Sequence, residues 1–284
     1  MKKNTILVLL IIISLCLSGF GFKTSSTFSI QFLDVGQGDS ALVECDGHYM
    51  LIDGGDTSAG EKVYRVLEEK GVQHLDILAI SHIHQDHIGG LPRALTYASK
   101  IDMVISNSKD SNLSVFEKLE MTLLNNKARI RIPHVGEKYK LGSAEIEVVD
   151  VASESENDSL VLMIKYGKIR CLFTGDIEGK GLKRVYDKYR NESDKPYEID
   201  LMKIPHHGAC SEEQEGYMYN FLRTFMAKNV VISVGSGNKY RHPDDRLLNL
   251  LSTEAYKPMI YRTDQMGDII VKSNGKRLMF ETEK

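Results

Sequence analysis

The chain is short of several residues that other structural classes depend on. Only four cysteines occur in 284 residues. Cys16 lies in the apolar opening stretch, while Cys45, Cys171 and Cys210 are widely spaced and form no Cys-x-x-C pair. A disulfide framework and a cysteine-built zinc site are therefore not expected, and Cys171, set in an apolar run, reads as a small core residue. No Pro-, Gly- or Ser-rich stretch divides the chain and no block repeats, which favours one folded unit over several. The formal net charge is only −3. Such a surface exerts no global pull on nucleic acid, so a polyanionic substrate must be held by a local patch or by metal. A single apolar run, near the N-terminus, is too little for a membrane channel.

That run is informative in its own right. The opening MKKNTILVLLIIISLCLSGFGFKTSS places Lys2 and Lys3 ahead of an uncharged stretch from Ile6 to about Phe20. This is the layout of a secretory signal, or of an uncleaved signal-anchor, over residues 1–24, with the folded domain at 25–284. The expectation is a protein secreted or anchored on the extracytoplasmic side, its N-terminal segment in contact with membrane, with no obligate protein partner.

The rest reads as two strand-rich halves. FSIQFLDV, SALVEC and HYMLIDGG alternate and turn like a meander. GEKVYRVLEEKGV follows as a helix with Val63, Val66 and Leu67 on one face, and LDILAIS is a continuous apolar strand of the doubly buried kind. Helices are expected from Leu91 to Ser99 and from Val115 to about Asn126, either side of a strand at 103–106. Strands follow at 128–133, 144–151, 159–166, 168–176, 201–207 and 230–235, with helices at 179–190, 215–226 and 244–251 and two last strands. The pattern predicts two sheets face to face with helices outside.

Where the apolar strand 75–81 stops, the chain reads SHIHQDHIGG. His82 and His84 alternate so that two imidazoles reach one ion, and Asp86 and His87 follow closely enough to serve a second. Imidazole with carboxylate suits zinc, manganese or iron better than calcium or magnesium. Gly89 and Gly90 let the backbone turn sharply and approach closely. Three further strand ends carry ligand-type residues: Asp53 after YMLI, Asp176 after CLFTG, and His206-His207 after LMKIP. Each would be costly to bury unpaired. Taken singly, Asp53 and Asp176 have a plainer reading as turn or capping residues.

FLDVGQGDS, LIDGG, SHIHQDHIGG, ENDSLVL with LFTGD, KIPHHG, ISVG with His242-Pro243, and GDIIVKSNGK together resemble the metallo-β-lactamase superfamily. More narrowly they are similar to the hydrolase domain of ComEC-type DNA-uptake proteins, from about Phe28 to Phe280. The resemblance implies an α/β fold, a four-layer αββα sandwich, with two divalent metal ions, zinc or manganese, along one edge of the sheets. It implies His82 and His84 as ligands of the first ion, Asp86 and His87 of the second, Asp176 bridging both and His206 completing the second. Asp53 would orient a ligand histidine from behind. The histidine that many members supply between the cluster and the bridging aspartate has no counterpart here, and Asp158, with Asn157 beside it, is the expected substitute.

The implied reaction is hydrolysis by a water made nucleophilic by the ion pair, with Asp86 able to orient that water. His207 and His242 are candidates for substrate contact or proton delivery, His207 equally for a supporting or packing role. A phosphodiester is the expected substrate and DNA the first candidate, with another ester, lactone or amide as the alternative and a non-catalytic binding protein the third reading. The one basic segment, Lys180, Lys183, Arg184, Lys188 and Arg190, reads more readily as a solvated helix face than as a nucleic-acid track.

Overall fold

The computed structural model describes residues 27–192, 196–253 and 256–284; the expected signal or signal-anchor lies outside the described residues. Among the described residues no helix is long and apolar enough to cross a membrane.

The first half forms β1 (Phe28–Phe32), β2 (Ala41–Cys45), β3 (His48–Ile52), α1 (Gly60–Glu69), β4 (His74–Ile80), the single turns α2 (Gln85–Ile88) and α3 (Leu91–Ala94), β5 (Lys100–Ser106), α4 (Ser114–Asn125) and β6 (Ile130–Arg131). The second forms β7 (Lys138–Leu141), β8 (Ala144–Asp150), β9 (Val161–Tyr166), β10 (Ile169–Phe173), α5 (Gly179–Glu192), β11 (Leu201–Lys203), α6 (Glu212–Thr224), β12 (Asn229–Ile232), α7 (Asp245–Leu251), β13 (Met259–Arg262) and α8 (Thr263–Met266). The hairpin β14 (Ile269–Ser273) and β15 (Leu278–Thr282) then returns to the first sheet.

One sheet runs β15-β14-β1-β2-β3-β4-β5-β6, the other β13-β12-β11-β10-β9-β8-β7. Each is antiparallel through its meander and parallel where helices cross over, from β3 to β6 and from β10 to β13. Alternation in β1 sends Phe28, Ile30 and Phe32 into the core between the sheets. There Phe28 stacks on Tyr166 with ring centroids 4.8 Å apart and Phe32 on Phe173 at 5.5 Å, joining one sheet to the other. Each such buried ring contributes about 1.5–3 kcal/mol. On the outer face of the first sheet Val63, Val66 and Leu67 of α1 pack with Leu51 and Leu78. On that of the second, Leu182, Val185, Phe221 and Leu247 from α5, α6 and α7 cover Met202 and Val230. The result is the expected αββα sandwich. All three described cysteines are buried and unbridged.

Two strands were not foreseen, the four-residue β7 and β13, both at the edges of the second sheet. The expected strand over 201–207 stops at Lys203, and Pro205–Gly208 forms a tight 3-10 turn instead. The glycines at 89 and 90 act through close approach alone: a Cβ on Gly90 would lie 2.1 Å from the Gly54 carbonyl oxygen, while Gly89 and Gly90 both keep ordinary right-handed angles.

Candidate metal centre

The carboxyl ends of parallel strands from both sheets meet at one edge of the sandwich, the place where α/β sheets gather their ligands. Asp53, one residue beyond β3, adopts a left-handed φ of 57°, a conformation uncommon for a non-glycine residue. Its Oδ1 accepts the Ser81 N–H at 2.8 Å, and its Oδ2 lies 2.9 Å from His87 Nδ1. The imidazole is thereby turned so that Nε2 stands 3.2 Å from Asp176 Oδ2. Asp176 follows β10, its own N–H donated to Ser159 Oγ at 2.9 Å.

His206 and His207 are both left-handed, with φ of 45° and 53°, and such residues typically carry about 1–3 kcal/mol of strain each. The consequence is that their rings fan apart. His207 Nδ1 donates to the Ser233 carbonyl at 2.9 Å, leaving Nε2 3.3 Å from Asp86 Oδ2 and 3.4 Å from Asp176 Oδ2. Asp86, His87, Asp176 and His207 each offer one ligand atom, all within 4.8 Å of one another. The expectation that His206 completes this group is corrected: His207 stands there, fully buried. His206 faces the rim, its Nδ1 bound to Glu178 Oε1 at 2.6 Å and its Nε2 3.8 Å from Asp176 Oδ2. His207 lines the cleft with its Nδ1 committed to the Ser233 carbonyl.

His82 and His84 meet beside this group, Nε2 to Nδ1 at 2.9 Å, and His82 Nε2 is 3.9 Å from Asp176 Oδ2. One carboxylate oxygen thus lies within 4 Å of His82, His87, His206 and His207. Asp158 does not join them. Its Oδ1 pairs with Arg184, and its Oδ2 accepts the N–H groups of Glu154 and Ser155 at 3.0 and 2.9 Å, which holds the carboxylate away from the group formed by Asp86, His87, Asp176 and His207. Asn157 binds Glu178. His242 lines the cleft above the cluster with His84, Asp86 and Asp176; the opening measures about 250 Å³.

Electrostatics favour a cation here. Burial opposes charge on His87, but Asp176 and Asp53 outweigh it and lift its pKa well above the usual 6.5. At His207 burial is likewise overcome, by Asp176 and Asp39. Asp176 is held well below the carboxylate range against its burial, by His87 and His207. His82 is pushed the other way, by burial and by His87, and stays neutral. Two buried polar atoms, Asp176 Oδ1 and His207 Nε2, make no hydrogen bond, an arrangement that costs about 1–3 kcal/mol per group unless something else pairs with them. An imidazole and carboxylate set with such orphaned atoms fits a divalent cation.

Sequence reasoning gave no role to Asp39, Lys203 or Glu178. Lys203 is buried at the end of β11, paired with Asp39, 3.2 Å from the Gly175 carbonyl and 3.6 Å from Asp176 Oδ1. Its only signal was a lysine inside the apolar run LMKI. Three of the five cations of the basic stretch of α5 are held by other side chains, Arg184 by Asp150 and Asp158, Lys183 by Asp187, and Arg190 by Thr224 and Asn220.

An αββα sandwich with histidines and aspartates converging at the strand ends defines a metallo-hydrolase of one particular fold. The family model described as "Metallo-beta-lactamase superfamily" matches residues 33–215, and the chain belongs to that superfamily as a metal-dependent hydrolase. Within it the chain is similar to ComE operon protein 3 of Bacillus subtilis, 30% identical over 86% of this chain and 33% of that one. It is also similar to Recombination protein 2 of Haemophilus influenzae, 25% identical over 94% of this chain and 32% of that one. The chain spans about one third of the length of these relatives. The crystal structure of the metallo-β-lactamase fold protein YhfI from Bacillus subtilis superposes with a TM-score of 0.57 at 14% identity, over 87% of this chain and all of that one.

Proposed function

We propose that this chain is a phosphodiesterase that cleaves DNA or a related phosphodiester, with zinc or manganese as its natural ions, acting outside the cytoplasm. The observation that carries the hydrolytic part is Asp176 Oδ2, placed within 4 Å of four imidazoles at the floor of an open cleft. The phosphodiester part is supported by similarity to ComE operon protein 3 and to a relative named for recombination, and export by Lys2, Lys3 and the apolar run behind them.

Asp86, His87, Asp176 and His207 would hold one ion, and His82 and His84 with Asp176 the other. Bound divalent metal supplies Lewis acidity and a water of lowered pKa. The protein does the rest. Asp86, one-third exposed to the cleft, is positioned to orient the attacking water. Asp53 and the Ser233 carbonyl fix which nitrogen of His87 and His207 faces the centre. His242 remains the candidate proton donor to the leaving oxygen, joined at the rim by His206, whose Nδ1 is fixed by Glu178.

Metal-loaded protein assayed against DNA, a chromogenic phosphodiester and a β-lactam tests this reading. Diester cleavage is expected, falling at least about a hundredfold in Asp86→Ala while the melting transition is retained. Turnover of the lactam with no diester cleaved would move the chain to the ester, lactone or amide hydrolases.

A further inference from the structure

We propose that Tyr240 is the seat of an aromatic base of the substrate, so that the cleft takes a nucleotide by its ring as well as by its phosphate. The inference rests on the phosphodiesterase reading and goes further by naming a subsite.

Tyr240 lines the same cleft as His84, Asp86 and Asp176, yet 56% of its surface is exposed. An exposed tyrosine contributes little to folding, so its place at the mouth of the centre calls for another account. Its ring lies nearly parallel to His242, with centroids 5.7 Å apart and planes 23° from each other. His242 in turn meets His206 edge-on at 5.8 Å. The three rings step from the rim of the cleft down to the oxygen of Asp176.

The loop that carries Tyr240 is braced. Asn238 Nδ2 donates to the carbonyls of Gly235 and His242 at 2.9 and 2.7 Å, and its Oδ1 accepts the His242 N–H at 3.0 Å. The Gly235 N–H is tied to Gln37 Oε1 at 3.2 Å, and a Cβ on Gly235 would fall 2.6 Å from the Gln37 nitrogen. The backbone that presents the ring is thus fixed in advance, which lowers the cost of ordering the loop when a second ring stacks on Tyr240. Lys239 and Arg241 flank it in sequence, and the Lys239 ammonium lies over the Tyr240 ring, 4.9 Å from its centroid, on a flexible stem that an incoming base can displace. Aromatic surface beside cations is the chemistry that receives single-stranded nucleotides without reading their sequence. At about 250 Å³ the opening is slightly below the usual ~300–1,000 Å³ of small-ligand pockets, room for one nucleotide-sized group.

The test uses the full metal-loaded chain, short single-stranded oligonucleotides and matched oligonucleotides with abasic tetrahydrofuran residues around the scissile phosphate. The wild type should cleave the base-bearing strand about tenfold better in kcat/KM, mostly through KM, a difference of ~1.4 kcal/mol. Tyr240→Ala should bring that ratio close to one, and Tyr240→Phe should keep it. In parallel, 2-aminopurine deoxynucleoside monophosphate should lose fluorescence on binding the wild type and Tyr240→Phe, and not Tyr240→Ala. An equal ratio in wild type and Tyr240→Ala, or quenching unaffected by the alanine, overturns the proposal. Quenching that depends on Tyr240 with no diester cleaved upholds the ring subsite and sinks the phosphodiesterase reading instead.

Discussion

Two groups of imidazoles approach Asp176 Oδ2 under different constraints. His87 and His207 are wholly buried, and each is held from behind by an acceptor on its Nδ1, Asp53 Oδ2 for one and the Ser233 carbonyl for the other. On the opposite side His82 is buried, but its neighbour His84 stands partly in the cleft, and its nearest acid is the exposed Glu156 at 3.8 Å. The closed side has its geometry fixed by protein alone. Among the described residues the open side has no third protein ligand of its own, since the carboxylate of Asp158 is committed to Arg184. A closed set suits retention of an ion, whereas an open set leaves coordination positions for water and substrate oxygen. The difference divides holding from reacting.

The contrast breaks most completely at the atom shared by both sides. Asp176→Ala should abolish binding on both, with loss of activity beyond a hundredfold, because even supporting residues of such sites are worth about 10–100-fold; metal content per chain, measured after dialysis, is expected to approach zero. Retention of one full equivalent would mean that the closed side stands without its carboxylate.

A smaller effect is expected from pH, and it separates the sides by sign. His87 and His207 have folded pKa values raised well above 6.5. Their ion pairs are complete below 6.5 and are lost as pH climbs through the raised values. In chelator the melting temperature should therefore fall as the solution is taken above about pH 6.5. His82, held neutral by burial, opposes this only below 6.5, where its unfolded form takes up a proton and stability declines with acid. Saturating zinc should remove the alkaline fall, since neutral imidazole is the ligating form. A chelated protein that melts steadily higher from pH 7 to 9 would contradict the assignment.

The smallest change on the metal itself is expected at Asp158. Asp158→Asn should leave metal content unaltered and lower stability by about 1–3 kcal/mol, through the weakened Arg184 pair and backbone acceptors, as read from denaturant midpoints. Loss of an equivalent of metal would return Asp158 to the open side.

Much of the architecture could be read before the structure. Periodicity places Val63, Val66 and Leu67 on the face that α1 buries, and the apolar run before His82 is the central strand β4. The histidine cluster and the solitary aspartates at strand ends likewise come together at one edge of the sandwich. What could not be read depends on backbone angles or on distant partners. Nothing in KIPHHG reveals that two successive histidines are left-handed, and that is what exchanges the places of His206 and His207. Asp158 looks available until Arg184, folded over from α5, occupies it. Lys203 announces a buried charge in an apolar strand, yet its partner Asp39 comes from the loop that joins β1 to β2 of the other sheet. The strands β7 and β13 are four residues long, too short for alternation to be distinguished from loop.

The placement of β1 between β2 and β14 has a consequence for biogenesis. Residues synthesised early wait for residues synthesised late, because one edge of Phe28–Phe32 finds its hydrogen-bonding neighbour only when Ile269–Ser273 has emerged. Until then a row of unsatisfied amides and carbonyls invites mispairing with another chain. A truncation ahead of residue 269 would thus injure the protein through aggregation of the nascent product, although every residue facing the reaction centre had already been made.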